Sequence, residues 1–218
     1  MKKTLLIAAA ILSVAACTRK PQTLRNGDLI FVGIPADYSL AEDSMSEAIG
    51  AATSPGDLNI IHTAIANVEK DGSVWIIDAT IKHGVDRHPL DTFLTDFTLK
   101  DGSLPEMIVM RLKDTTGIAA SVERAKAFTG LRYNIGFTPC DTALYCTELV
   151  RDSYLTPSGD FIFTEAPMNF KAADGTMPLY WEQLFDILGI PVPQDVPGTN
   201  PRAMSEEPCL KRVNVSIK

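Results

Sequence analysis

The sequence predicts an α+β domain, because short apolar strands follow one another and helical patterns lie before and after them. The clearest signal is a hairpin, in which the apolar runs 59–68 and 74–79 flank the turn Lys70-Asp71-Gly72. Further short strands are predicted at 27–33, 82–85 and 107–112. About two hundred residues follow the N-terminal segment, which is the length of one domain.

Helices are predicted where apolar residues recur every three or four positions. One covers 40–52 and ends before a Ser-Pro-Gly turn. A second is capped by Thr115 or Thr116 and stops at Gly130. An amphipathic segment at 179–188 lies within the C-terminal tail.

The N-terminal residues resemble a bacterial lipoprotein signal. A charged start precedes a short apolar run at 5–12, too brief to span a membrane, and then Val14-Ala15-Ala16-Cys17. This ending resembles a lipobox, which implies that Cys17 is lipid-modified and anchors the exported protein to a membrane of the cell envelope. An ordinary export signal with an incidental cysteine is the alternative. The predicted organisation is a signal at 1–17, a tether at 18–24 and one domain at 25–218.

Charge and cysteine content argue against two classes of protein. The chain has 20 basic and 27 acidic residues, a balance that argues against a nucleic-acid partner. Beyond Cys17 it holds only Cys140, Cys146 and Cys209, without the paired spacing of a zinc ribbon or a dense disulfide framework. A Cys140–Cys209 bridge stays open for an oxidising compartment, and it would leave Cys146 free.

The segment Tyr145-Cys146-Thr147-Glu148-Leu149-Val150 predicts the start of a buried helix, with Asp141 and Thr142 as candidate N-caps. A cysteine in the first turn lies near unpaired amide groups and the positive end of the helix dipole, which favour a thiolate. Cys146 is therefore a candidate nucleophile. The alternative is a buried cysteine that acts as a small hydrophobic residue.

Two polar residues interrupt the apolar pattern of the predicted hairpin: His62 in its first strand and Asp78 in its second. Buried polar groups need partners, so a histidine–carboxylate pair across neighbouring strands is predicted. The other two histidines, His83 and His88, flank a turn-rich segment and are expected to be exposed. A cysteine nucleophile needs a base, and the base needs a group that orients it, so the three residue types supply the parts of a triad.

Four segments carry a family resemblance: Gly27-Asp28-Leu29-Ile30-Phe31, the His62 strand, Ile77-Asp78-Ala79 and the cysteine segment 145–150. They resemble the YiiX/YebB-like branch of the NlpC/P60 cysteine hydrolases, in which a papain-like fold is circularly permuted and the histidine-bearing sheet precedes the cysteine helix. The resemblance implies an antiparallel sheet carrying His62 and Asp78, packed against the cysteine helix. This chain departs from the pattern by carrying Asp78 where members often have glutamate.

The resemblance also implies a reaction, in which Cys146 attacks an amide or ester carbonyl, His62 transfers protons and Asp78 orients His62. No metal or organic cofactor is needed. Cell-wall peptides are the first expected substrates, with N-acyl amino acids and acyl lipids as competitors. Two other classes stay open: an inactive relative that binds a peptide or acyl lipid in the same groove, and a structural envelope lipoprotein.

Aromatic residues define the predicted substrate pocket. Tyr133 matches an aromatic position that lines the pocket in the wider superfamily, and Tyr145 adjoins the nucleophile. In the tail, a loop at 164–178 is predicted to border the pocket, with Phe163 just before it and Phe170 within it as pocket residues, while 191–201 runs as an extended strap. The alternative is that the tail aromatics only pack the tail onto the domain.

Overall fold

The structure is a computed structural model that describes residues 22–36, 38, 45–53 and 56–217. The predicted signal peptide with Cys17 and most of the predicted tether lie outside these residues, as does the predicted start of the first helix. Among the residues that are described, no helix is both long and apolar enough to cross a membrane.

The described residues form a main sheet, five helices of seven or more residues and several short elements. In chain order the elements are β1 (Leu29–Pro35), α1 (Met45–Thr53), β2 (Leu58–Val68), β3 (Val74–Thr80), β4 (Gly84–Pro89), α2 (Leu90–Asp96), β5 (Glu106–Leu112), α3 (Ile118–Ala127), β6 (Arg132–Tyr133), β7 (Ala143–Leu144), α4 (Cys146–Ser153), β8 (Ala166–Pro167), α5 (Leu179–Leu188), β9 (Pro197–Gly198), α6 (Pro201–Ser205) and β10 (Leu210–Arg212).

Six strands form one antiparallel sheet in the order β10-β5-β1-β2-β3-β4. The predicted hairpin is confirmed as β2 and β3, and the amphipathic tail segment is confirmed as α5. The tail also supplies β10, which pairs with β5 and completes one edge of the sheet. Part of the tail is therefore integral to the fold.

Alternate side chains of the strands enter two separate apolar clusters, as the pleat of a strand requires. Leu29 and Phe31 of β1 pack with residues of α3 and α4, whereas Ile30 and Val32 pack with residues of α2. Both faces of the sheet are thus covered, which explains the nearly continuous apolar runs of its central strands. A third cluster joins α1 and α5 to aromatic residues near the start of α4.

Three details differ from the sequence-based expectations. The strand expected at 82–85 is β4, which begins at Gly84 and continues to Pro89, so His88 lies on a strand and is buried rather than exposed. The helix α2, which follows directly, was not predicted. Among the described cysteines, Cys140 and Cys209 are free thiols, so the structure contains no bridge between them.

Candidate active site

The helix α4 begins at Cys146, which places the thiol on its first helical residue, and Tyr145 is the extended N-cap. The predicted caps Asp141 and Thr142 are wrong, because residues 143–144 form β7 and keep the chain extended up to Tyr145. Amide groups of a first helical turn lack acceptors within the helix and, with the helix dipole, favour negative charge. The buried thiol therefore occupies a position that stabilises a thiolate.

His62 and Asp78 meet on neighbouring strands. The Nε2–H of His62 donates to Oδ2 of Asp78 over 2.8 Å, and both side chains are buried. The ring of Phe97 packs at 4.8 Å from the His62 ring, with Phe93 of α2 slightly farther away. The carboxylate and the two aromatic rings together fix the orientation of the imidazole.

A β-bulge sits beside the histidine. Val32 of β1 pairs with His62, but the next residue, Gly33, pairs with Ile60, so Ile61 has no partner across the ladder. Bulges bend a strand and redirect its side chains, and they are common next to active sites. The bulge therefore lies directly next to His62, whose side chain is directed at Asp78.

His62 also lies close enough to the nucleophile for the charge on Cys146 to act on its imidazole. Because Nε2 of His62 is occupied by Asp78, Nδ1 is the nitrogen left for Cys146. Burial lowers the pKa of His62, but the negative charge of an ionised Cys146 and the hydrogen bond with Asp78 outweigh burial and raise the pKa to about 10. The arrangement pairs a cysteine with a histidine that can exchange protons with it, which a cysteine nucleophile requires.

An apolar cavity adjoins Cys146. It has a volume of about 50 Å³, and its lining includes three of the predicted pocket residues, Tyr133, Tyr145 and Phe170. Trp181 of α5 also lines the cavity and packs edge to face on Phe170, with ring centroids 5.2 Å apart. The structure thus brings Tyr133, Tyr145 and Phe170 together beside the thiol.

A second, more polar cavity adjoins His62. Its volume is about 360 Å³, and Tyr133 lines both cavities. Lys82 and Asp96 bring charge to this side, where Nζ of Lys82 lies 2.7 Å from Oδ1 of Asp96. The Cys146–His62 pair therefore lies between an apolar and a charged recess.

Comparison with known proteins places this chain in a family. A model of the permuted papain-like amidase enzymes, the YaeF/YiiX or C92 family, matches residues 23–214 of the 218-residue chain. The chain belongs to this family. The uncharacterized protein YiiX of Escherichia coli strain K12 is 25% identical over 216 residues, which cover 98% of this chain and 96% of that protein. The crystal structure of the metalloprotein YiiX from Escherichia coli O157:H7 has a TM-score of 0.66 and 22% identity, over 91% of this chain and 99% of that chain.

Membership of the permuted papain-like amidases confirms the predicted fold class, an α+β domain with an antiparallel sheet and a permuted papain-like order. It also supports a hydrolase in general. The wider relationship to NlpC/P60 enzymes stays a prediction. The word metalloprotein describes the Escherichia coli relative. Over residues 22–36, 38, 45–53 and 56–217 of this family member, no group of three or more histidine, cysteine or acidic side chains is arranged to hold a metal ion.

One predicted pocket residue lies elsewhere. Phe163 is only 1% exposed, belongs to the main core cluster and packs on Tyr154 with ring centroids 5.8 Å apart. It lines neither cavity, so its predicted place in the substrate pocket is wrong. Phe170 turns toward the cavity because its chain segment packs against α5 instead of the sheet.

Phe163 and Phe170 therefore form a matched pair for separating packing from substrate specificity in this protein. We expect Phe163→Leu and Phe170→Leu each to lower the free energy of unfolding by roughly 1–2 kcal/mol, because both remove buried aromatic surface. Only Phe170→Leu should change the relative rates among substrates with different acyl groups. Urea unfolding and competition kinetics measure the two effects. An equal change of substrate preference in both variants would contradict the assignment.

Glu148 stabilises the start of α4, a role that was not predicted from the sequence. Its Oε2 accepts from the Tyr145 N–H over 3.2 Å and from Nδ2 of Asn134 over 3.1 Å. An acidic residue three positions after an N-cap is a known signal of a helix start, and it could have placed the cap at Tyr145. Burial raises the pKa of Glu148 to about 7, against the opposing hydrogen bonds from Asn134 and Tyr145.

This raised pKa predicts a pH dependence of stability. A carboxyl group with a pKa near 4.5 unfolded and about 7 folded binds more protons in the folded state between these values, so stability falls as pH rises through that window. Glu148→Gln keeps an acceptor for the Tyr145 N–H and should reduce the loss of stability between pH 5 and pH 8. Urea unfolding at both pH values measures this loss. The exposed Glu182→Gln on α5 is the control, and a Glu148→Gln variant with the wild-type pH dependence would refute the prediction.

Proposed function

We propose that this protein is a cell-envelope cysteine hydrolase that cleaves an amide or ester bond, with Cys146 as nucleophile, His62 as acid and base, and Asp78 as the group that orients His62. The observation that carries the proposal is the placement of His62, whose Nε2–H donates to Asp78 and whose imidazole interacts with Cys146. Membership of a permuted papain-like amidase family supports the same chemistry.

The proposed reaction starts from the Cys146 thiolate and a protonated His62. The Cys146 thiolate attacks the carbonyl carbon and forms a tetrahedral intermediate, whose collapse breaks the bond to the leaving group. Protonated His62 gives its Nδ1 proton to the departing amine or alcohol and leaves a thioester on Cys146. Neutral His62 then takes a proton from water, the hydroxide attacks the thioester, and the carboxylate product leaves as the thiolate is regenerated.

Two donors are available for the oxyanion. The Cys146 N–H lies at the start of α4, where amide groups have no acceptor within the helix. Burial, and next the negative charge on Cys146, raise the pKa of the Tyr133 phenol well above its usual value. The Tyr133 hydroxyl therefore keeps its proton and can donate it in a hydrogen bond to the oxyanion.

The two cavities suggest the direction in which a substrate binds. The acyl group becomes attached to Cys146 and belongs in the apolar cavity beside the thiol. The leaving group receives its proton from His62 and belongs in the cavity that holds Lys82 and Asp96. An amine that carries a charged group, such as an amino acid or a peptide, matches that second cavity.

The size of the apolar cavity favours a short acyl group. A water molecule needs roughly 10–15 Å³ of such volume. The cavity of about 50 Å³ therefore takes only a few non-hydrogen atoms. Cell-wall peptides and N-acyl amino acids with small apolar acyl groups fit this space better than long-chain acyl lipids.

A hydrolysis screen tests the proposed function. Muropeptides, N-acyl amino acids of increasing acyl length and lysophospholipids are incubated with the wild-type protein, with Cys146→Ala as the control. We expect turnover of at least one amide substrate by the wild type alone. Turnover that persists in Cys146→Ala would overturn the mechanism. Binding of a peptide or acyl lipid without any turnover would favour the inactive binding protein over the hydrolase.

We also propose that Cys17 is lipid-modified and anchors the protein to a membrane. Its support is the sequence Val14-Ala15-Ala16-Cys17, which lies outside the described residues. Cys17→Ala should move the protein from the membrane fraction to the soluble fraction, because a polar tether and an acidic domain offer no second anchor. Fractionation and immunoblotting measure this. A Cys17→Ala protein that stays with the membrane would contradict the lipobox.

A further inference from the structure

A second buried histidine lies behind Asp78. Oδ2 of Asp78 accepts from His62, while its other oxygen, Oδ1, lies 3.5 Å from Nε2 of His88. The register of β3 and β4 creates this arrangement, because Asp78 pairs with Asp86, and His88 lies two residues farther along the same face of β4. The carboxylate therefore lies between two imidazole rings.

Hydrogen bonding around His88 is incomplete. Within the described part of the chain, Oδ1 of Asp78 and both ring nitrogens of His88 are buried polar atoms without a hydrogen-bond partner. The side chains are 1% and 7% exposed, so water does not replace the missing partner readily. An unpaired buried polar group costs free energy, and a contraction of about half an ångström would join Nε2 of His88 to Asp78 in a hydrogen bond.

The surroundings hold His88 in place for this contact. The ring of Phe93 lies 6.4 Å away on α2, and the same phenylalanine packs against His62. Two other titratable side chains lie beside His88: Asp86, whose Oδ2 is 3.7 Å from Nδ1, and His83, whose ring is 6.2 Å away and pairs with Asp96. Asp86 lies at Nδ1, so Nε2 is the nitrogen left for Asp78.

We propose, on the basis of the proposed function, that His88 is a positioning residue, which donates its Nε2–H to Oδ1 of Asp78 and so keeps Oδ2 on His62. A carboxylate held at one oxygen only can rotate about its Cβ–Cγ bond. Rotation away from His62 would remove the hydrogen bond that aligns the imidazole with Cys146. His88 acts through Asp78 and does not touch the substrate.

Three substitutions of His88 separate positioning from packing. The amide of glutamine can reach the place of Nε2, so His88→Gln keeps a donor for Asp78. His88→Asn puts its amide near the place of Nδ1, and His88→Leu removes both nitrogens while it retains bulk. We expect the leucine and asparagine variants to lower kcat by roughly 10- to 100-fold, the range seen when outer partners of metal-bound histidines are removed, with KM within about twofold. The glutamine variant should recover most of kcat.

Two readouts need no substrate and so remain decisive if the screen finds no hydrolysis. The chain has only three histidines, so imidazole titration by NMR follows His62 directly. Its pKa, raised to about 10 in the wild type, should fall by roughly one unit in His88→Leu and His88→Asn but not in His88→Gln. The pH profile of Cys146 alkylation by iodoacetamide should change in the same variants.

Thermal unfolding accompanies each measurement. If His88→Leu does not fold, the comparison of the glutamine and asparagine variants decides. The proposal is overturned if these two variants have the same His62 titration, or if all three variants titrate like the wild type. Failure of the hydrolysis screen alone, with the expected differences in His62 titration, would overturn the substrate classes and leave the positioning role supported.

Discussion

Replacing Cys146 by alanine should lower kcat/KM for the best substrate by roughly 10⁴- to 10⁶-fold, because the nucleophile is lost while the rest of the site is kept. His62→Gln should have an effect of similar size, since the thiol then lacks its proton acceptor and the leaving group its proton donor. Initial rates over a range of substrate concentrations measure both losses. Serine at 146 should be nearly as poor as alanine, because a hydroxyl is far harder to ionise than a thiol beside the same imidazole.

Cys140→Ala is the matched control, since Cys140 is an exposed thiol six residues away from Cys146 in sequence and outside both cavities. It should keep the wild-type rate and melting temperature. Cys146→Ala removes a single buried sulfur and should also stay folded. A folded Cys146→Ala protein with wild-type kcat/KM would exclude the cysteine mechanism.

The fold could be predicted to the extent that its signals are local. The hairpin of β2 and β3 rests on two apolar runs and a Lys-Asp-Gly turn, all of which lie within one continuous segment of the sequence. The start of α4 shows the limit. Asp141 and Thr142 are good capping residues, but the pairing of β7 with β6 holds the following residues extended and delays the helix until Cys146.

Long-range packing gives two phenylalanines of the C-terminal tail different environments. Phe163 and Phe170 lie seven positions apart in the same C-terminal segment, yet one belongs to the core beneath the sheet and the other to the cavity beside Cys146. The difference depends on contacts with Tyr154 and with Trp181, which no local pattern reveals. A prediction from composition therefore treated both as pocket residues.

The surroundings of Asp78 were the part of the site that was least predictable from the sequence. The edge strand β4 carries Asp86 and Arg87 next to His88, and such polar runs are usual in turns as well as on edge strands. The seven-residue helix α2 is too short for a clear helical period, although its Phe93 packs against both buried histidines. The bulge at Ile61 has no glycine or proline on its own strand, and the glycine opposite it, Gly33, lies on β1, far away in sequence.

Removing the Asp78 carboxylate, which accepts the Nε2–H of His62, should cause the second large loss of activity. Asp78→Ala is expected to lower kcat by roughly 10²- to 10³-fold, because His62 loses the group that fixes its orientation and its proton. Asp78→Asn should lower kcat less, since an amide oxygen still accepts from Nε2 while the negative charge is gone. KM should change little in either variant, because Asp78 lines neither cavity.

The pH profile distinguishes this role from a loss of packing. Hydrogen bonding and charge from Asp78 contribute to the raised pKa of His62, after the larger contribution of the charge on Cys146. The acid form of His62 is needed to protonate the leaving group, so the alkaline limb of kcat/KM should lie near pH 10 in the wild type and move to lower pH in Asp78→Asn and farther in Asp78→Ala. Asp91→Asn, an exposed substitution on α2, should leave the limb in place. An Asp78→Ala enzyme with lowered kcat but an unmoved alkaline limb would show that Asp78 supports the fold of the site without acting on His62.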